Sequence, residues 1–268
     1  MALFTDASIS DVQDLLAYEA NLVEVADAEG IDLQAKLRLA QSEVGAELVA
    51  AALRPGNIYW TAPGWNSTGT EVNLSRFELT KVAVTPPLKL WHTFQALAIA
   101  YRDAYNRKLN DKYLPKWTEY KELARWASNL LYQSGIGLVL KPILRPGKPV
   151  VGSVSGTQAA ATFYVRISWV GADGAAEGAA SEEVALAVPD NQALRVTPPA
   201  APASPYVVTG WNVYVGAASG EEARQNSQTL PLGQAWVMPP TGLAAGAAVG
   251  TGQEPDLYRT VPRFVQRG

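Results

Sequence analysis

Covalent and acid–base catalysis draw on a short list of side chains, and this sequence is poor in them. It contains no cysteine, which removes thiol nucleophiles, disulfides, zinc fingers and iron–sulfur ligation together. It contains one histidine, His92. A zinc site built mainly from imidazoles is therefore impossible within one chain, and a Ser-His-Asp triad would have to use that residue. His92 sits beside Trp91 in a stretch crowded with aromatics, a setting that favours a packed, hydrogen-bonded imidazole over a catalytic one.

The short motifs point the same way. Gly152-Ser153-Val154-Ser155-Gly156 has the outline of a nucleophile elbow, but its central position is Val154 rather than serine. Gly147-Lys148 lacks the upstream glycine of a phosphate-binding loop, and Pro149 would obstruct the helix that must follow. The pairs Gly135/Gly137 and Gly250/Gly252 do not extend into a dinucleotide fingerprint. Asp11, Asp14, Glu19 and Glu24 lie on an amphipathic helix, where a solvated or partner-facing role outweighs acid–base work. No catalytic residue, metal ligand or cofactor is expected.

Charge is the more informative feature. The net charge is only −3. Met1 to Leu53, however, holds ten Asp/Glu against two Lys/Arg, and Lys81 to Lys148 holds twelve Lys/Arg against four Asp/Glu. An acidic and a basic element can pair within one chain or between copies; solvated helix faces are the plainer alternative. The basic residues Arg102, Arg107, Lys108, Lys112, Lys116, Lys121 and Arg125 are interleaved with Tyr105, Tyr113, Trp117 and Tyr120, superficially a surface that could track nucleic acid. Those aromatics also fall on an apolar stripe, which explains them as core.

The elements that must position these residues divide into two textures. With 268 residues, 48% of them hydrophobic, two domains are the natural expectation. In the first half, Ser10 and Gln13 suggest a capping box, with Val12, Leu15, Leu16, Leu22, Val23 and Ala26 as an apolar face ending at Gly30. Asp32 is a second N-cap, followed by Leu33, Leu37, Ala40, Val44, Leu48 and Ala51 at helical spacing. Arg54-Pro55-Gly56 stops that helix. Residues 54–86 read as a long loop holding Tyr59, Trp60 and Trp65, with one short strand suggested by Phe77, Leu79, Val82 and Val84. Pro86-Pro87 opens a third helix along Leu90, Phe94, Leu97, Tyr101 and Tyr105. A fourth follows Asn110-Asp111 and Pro115, along Trp117, Tyr120, Leu123, Ala124, Ala127, Leu130 and Leu131, and ends at Gly135-Ile136 in the pattern of a Schellman cap.

From residue 142 to 150 the prolines and glycines suggest a stiff linker. Beyond it the period becomes two: Phe163, Val165, Ile167 and Trp169 with a turn at Asp173-Gly174, then 184–188 and 194–196, then Trp211, Val213 and Val215, then 235–238. The expected fold is multidomain α + β, a bundle of about four helices over 1–141 and an all-β sandwich of about seven strands over 151–250. Residues 251–268 read as an extended tail. No run of about 18 apolar residues occurs, so no membrane span is expected. The first six residues lack the pattern of a secretory signal, and the chain reads as one folded in a cytoplasm.

Two stretches resemble parts of virion proteins. Leu90-Trp91-His92 through Ala100-Tyr101-Arg102-Asp103-Ala104-Tyr105, continuing in Leu109-Asn110-Asp111-Lys112-Tyr113 and Lys116-Trp117-Thr118-Glu119-Tyr120, resembles the head-to-tail connector (adaptor) proteins of tailed bacteriophages. Val208-Thr209-Gly210-Trp211-Asn212-Val213-Tyr214-Val215-Gly216 is similar to the fibronectin-III-like modules appended to phage structural proteins. The resemblance implies a non-enzymatic protein of the virion neck, a homo-oligomeric and dodecameric ring docked under the portal protein and receiving a tail or neck protein, with DNA passing through its lumen. It implies candidate interface residues Tyr59, Trp60 and Trp65 in the loop and Asp11, Asp14 and Glu19 on the acidic helices. Arg102, Arg107, Lys108 and Lys112 on the basic stretch and Tyr258, Arg259 and Phe264 in the tail complete the set. The sandwich and the long loop depart from the minimal connector pattern. An alternative is a carbohydrate- or surface-binding virion protein in which Trp211, Trp236 or Tyr206 stack on sugars.

Overall fold

The computed structural model describes residues 1–52, 64–65, 71–72, 77–108, 111–172, 174, 176–203 and 207–261. In chain order its helices and strands are α1 (Val12–Leu16), α2 (Leu22–Glu29), α3 (Leu33–Ala52), β1 (Gly64–Trp65), β2 (Glu71–Val72), α4 (Pro86–Lys108), α5 (Leu114–Ser134) and β3 (Ile136–Leu138). They continue as β4 (Val150–Gln158), β5 (Ala161–Gly171), β6 (Val184–Val188), β7 (Gln192–Thr197), β8 (Val208–Gly216), β9 (Ala223–Arg224), β10 (Leu230–Pro231), β11 (Trp236–Val237) and β12 (Leu257–Arg259). The class is mixed α + β, and the strands pair antiparallel. Two compact units result: a helical one, Ala7–Val139 with the chain from Pro255, and a β one, Met1–Asp6 with Leu140–Glu254.

In the helical unit, α3 buries the expected stripe of Leu37, Ala40, Val44, Leu48 and Ala51. Asp32 caps it, its Oδ1 accepting from the Ala35 N–H at 3.0 Å. α4 is buried almost all round between Trp91 and Tyr101. A helix buried on nearly every side is one that other elements surround. Three local expectations are corrected. The capping box lies one residue later than Ser10: Asp11 accepts from the Asp14 N–H at 2.9 Å, and Asp14 accepts from the Asp11 N–H at 3.0 Å. Ser10 is buried and its hydroxyl serves another partner. The first helical stretch is broken into α1 and α2, and Val23 is left 40% exposed. The strand suggested for 77–84 is a short 3-10 turn at Leu79–Lys81 followed by a single bridge from Val82 to Leu138.

The end of α5 also differs from the expected cap. Gly135 lies at φ 102°, ψ 145°, outside the left-handed helical well that a Schellman cap uses. This backbone region is open essentially to glycine alone. It turns the chain straight into β3, which pairs with β12 through Ile136–Arg259, Gly137–Tyr258 and Leu138–Leu257. A Cβ at Gly135 would lie 3.0 Å from the Tyr258 Cβ and 3.2 Å from the Arg259 N. Gly135→Ala is therefore expected to destabilise the helical unit by about 2 kcal/mol, read as a lower urea midpoint. Within the stretch expected as an extended tail, the described part through Val261 is tied down: β12 completes a small sheet, and the Val261 N–H donates to the Tyr132 carbonyl at 3.1 Å.

The β unit has a three-stranded sheet, β11-β7-β4, and a second sheet, β10-β8-β5-β6, with β9 also on β8. Their registers show one long ribbon folded on itself. Val150 faces Thr197 and Ser155 faces Gln192 on one side of the fold. Ala161 faces Val188 and Val165 faces Val184 on the other. Both strands bend at the same place and change sheets there, as corners in packed sheets do. Asn191, at φ 56°, takes the left-handed conformation at that bend, which Asn tolerates. Phe163, Val165, Ile167, Trp169, Leu194, Val196, Trp211, Val213, Val215 and Trp236 from both sheets share one core. Ile143 joins it, so the proline-rich 142–150 segment is packed rather than a free spacer. Gln253 holds that segment, accepting from the Ile143 N–H at 2.6 Å and donating to the Lys141 carbonyl at 3.0 Å.

Candidate functional site

His92 is fully buried. Its Nε2 lies 3.0 Å from the Leu37 carbonyl and its Nδ1 2.9 Å from Ser10 Oγ, which lies 2.8 Å from Thr93 Oγ1. A carbonyl only accepts, so Nε2 carries the proton and the neutral ring's Nδ1 accepts from Ser10. A serine does sit on the histidine, but in a sealed network joining the N-terminal segment, α3 and α4. Burial pulls the imidazole down to about 4, against a smaller opposing pull from the Leu37 carbonyl. The ring is neutral at pH 7 and structural in role.

The acidic and basic elements meet within the chain. Lys89 Nζ lies 2.7 Å from Asp14, Lys116 Nζ lies 3.0 Å from Glu19, and Lys36 pairs with Asp103. Glu19 is the hub: its carboxylate also accepts from the Tyr120 hydroxyl at 2.8 Å. Burial first, and Glu19 second, push the Tyr120 hydroxyl far above the usual phenol range. Glu19→Ala is expected to cost about 1.5 kcal/mol, since it leaves a buried hydroxyl with only the distant Tyr18 carbonyl, at 3.4 Å, to accept from it. Glu19→Gln, which still accepts from Tyr120, should recover most of it; chemical denaturation of both variants measures the difference.

Asp11, Asp14 and Glu19 are therefore engaged locally: Asp11 as a cap, the other two with lysines. Arg107 donates to the Glu29 carbonyl at the end of α2. Arg102 is half-buried on α4, and Lys112 is exposed with its Nζ 4.7 Å from the centre of the Tyr113 ring. Tyr258 is 55% exposed on β12, next to half-buried Arg259. Tyr59, Trp60 and Phe264 lie outside the described residues, as does Tyr206, and of Trp65 and Lys108 only the backbone is described. Of the aromatics in the basic stretch, Tyr113 and Tyr120 are core, with Tyr101 and Phe94 stacked on Tyr120 at 5.7 and 6.4 Å, whereas Tyr105 and Trp117 stack on each other at 5.7 Å and stay half-buried. Trp126, which the stripe along α5 omits, is 52% exposed, next to exposed Arg125.

In the β unit, Trp211 is fully buried and Trp236 is 8% exposed, which corrects their assignment as sugar-stacking side chains. Asn212 and Tyr214, which alternate with the core residues of β8, are buried as well. Polar partners satisfy them: Asn226 donates to Asn212 at 2.8 Å, and the Tyr214 hydroxyl donates to Glu177 at 2.5 Å. A second cluster was invisible in the sequence because its members are far apart. Arg166 lies 3.2 Å from Glu222, which is 3% exposed, and 3.5 Å from Glu183. A hydrogen bond from Glu222 holds Glu183 down to about 2, while burial raises Glu222. Glu183 also accepts from Ser219 and the Gly220 N–H, so the pair ties the turn after β8 to the start of β6.

Among the described residues no group of three or more His, Cys, Asp or Glu is placed to hold a metal ion, and no helix is long and apolar enough to cross a membrane. No family model, no curated protein and no solved structure matches the chain.

Proposed function

We propose that this chain is a structural virion protein, one subunit of a head-to-tail connector ring in a tailed bacteriophage, acting through protein–protein contacts. In this reading the helical unit is a bundle that builds the ring, under the portal protein and above a tail or neck protein. The β unit is an immunoglobulin- or fibronectin-III-like sandwich at the periphery. The observation that carries the reading is the α4–α5 pair: the residues that resemble connectors form its stacked aromatic seam, while α5 turns Trp126 outward at 52% exposure. A large aromatic exposed on the helix whose other face is core is the kind of side chain that anchors interfaces.

Strand order supports the sandwich reading. In immunoglobulin-type sandwiches, strands B and E share one sheet and C, F and G the other. Here β4 pairs with β7, β5 with β6 and β8, and β8 with β9 and β10, the order B–E and C′–C–F–G. β11 lies beside β7, on the edge where strand D lies in those sandwiches, but comes after β10 in the chain, a departure from their order. The basic side chains of α4 and α5 give the ring a lumen able to meet DNA without reading its sequence. Incubation with isolated portal rings, followed by sedimentation, tests this: the full chain should co-sediment, and Trp126→Ala should weaken binding or ring closure at least tenfold. A chain that ignores portal rings at every salt concentration counts against it.

A further inference from the structure

The three-stranded sheet ends at β4, nine residues long and without charge or proline, Val-Val-Gly-Ser-Val-Ser-Gly-Thr-Gln. Natural edge strands are usually blunted by a lysine, a proline, an inward charge or a bulge; this one has none of the first three, and its one register shift falls after Ser155, leaving 150–155 regular. Which backbone groups it offers follows from its neighbour. The Gly156 N–H donates to the Asn191 carbonyl at 3.0 Å, toward β7. On the far side of β7, the Leu194 carbonyl accepts from the Met238 N–H at 2.9 Å, so residues 193 and 195 face β4 and bond Val154 and Gly152. By the two-residue alternation of a strand, Val151, Ser153 and Ser155 turn their N–H and C=O groups outward.

We propose that two copies of this chain pair antiparallel through β4, with the two-fold axis at Ser153. Centred there, the outward groups match themselves: Ser153 opposes Ser153 of the second copy, and Val151 opposes Ser155. The other face is complementary in size, because Val150 falls opposite Gly156 and Gly152 opposite Val154. Two features of the single chain fit this register. Val150 is 67% exposed. A Cβ at Gly152 would meet nothing within 4 Å, so no neighbour among the described residues requires a glycine there. A second copy is the occupant that fits, because an isologous contact needs a self-complementary patch, and no like charges oppose one another across this one. The inference is independent of the connector reading, since ring closure uses heterologous contacts.

The chain has no cysteine, so single-cysteine variants report the geometry without background. Under mild oxidation, full-length Ser153→Cys should form a disulfide-linked dimer, because Cα atoms across a hydrogen-bonded antiparallel pair lie about 5.5 Å apart. Ser155→Cys should cross-link at least tenfold less, because its two copies would lie about 14 Å apart along the strands. Both positions are exposed, so neither change threatens the fold. Gly152→Val should lower the dimer fraction of the otherwise unaltered chain by placing a branched side chain where Val154 of the second copy sits. Equal cross-linking at 153 and 155, or none at 153, overturns the proposal.

Discussion

Trp211→Ala is expected to unfold or nearly unfold the β unit while leaving helical circular dichroism largely in place. Trp211 is fully buried, faces Trp169 across β5 and Leu230 across β10, and donates its indole N–H to the Pro231 carbonyl at 3.1 Å. Truncating a buried tryptophan to alanine costs about 4 kcal/mol, and the Pro231 carbonyl loses its donor as well. Against the lower end of the typical range of stability, about 5 kcal/mol, that is most of the margin. With two compact units, a single two-state transition is not assumed. The transition reported by near-ultraviolet signals of the β core should fall by about 15 °C or vanish, and Trp211→Phe should lose roughly half as much.

The helical unit is expected to lose stability as the pH falls from about 6.5 to about 4, through His92. In the folded chain the imidazole is held at about 4, mainly by burial, whereas in the unfolded chain it titrates near 6.5. Below pH 6.5 the unfolded state takes up a proton that the folded state refuses, so stability falls as pH falls, and the loss is complete once pH drops below the folded value. The whole window corresponds to about 3 kcal/mol. Carboxylates also titrate near its lower end, so the comparison is with His92→Gln, which cannot take up the proton. Urea midpoints at pH 7.5, 6, 5 and 4.5 should fall more steeply for the natural chain than for the variant. Parallel curves would place the histidine elsewhere than in the sealed Ser10–His92–Leu37 network.

How much of this could be read from the residues depended on whether the signal was local. The α3 stripe, the Asp32 cap, the Pro86-Pro87 start of α4 and the alternation of β5 and β8 are repeated short-range patterns, and they lie where their periods put them. β4 carries no readable period because its three valines are scattered among serines and glycines, and its pairing with β7 is what shows it as a strand. β3 and β12 are three residues each and exist through each other across more than a hundred positions. The capping box slipped by one residue because Ser10, a good cap by type, is taken by His92. The charge imbalance was legible, but not its use. Only the folded chain pairs Asp14 with Lys89 and Glu19 with Lys116, so both acids have a partner within their own chain. Likewise the stripe along α5 identified its core face, while exposed Trp126 falls between the positions the stripe counts.

If this chain works by assembling, the mass of the full-length protein, measured by mass photometry alone and with portal protein, must show it. A closed ring of about twelve 28.7 kDa chains, near 340 kDa, or two such rings joined through β4, near 690 kDa, appearing or sharpening when portal is added, is the expected result. A chain that stays at 28.7 kDa, or stops at a pair of copies, and does not change with portal would contradict the connector account.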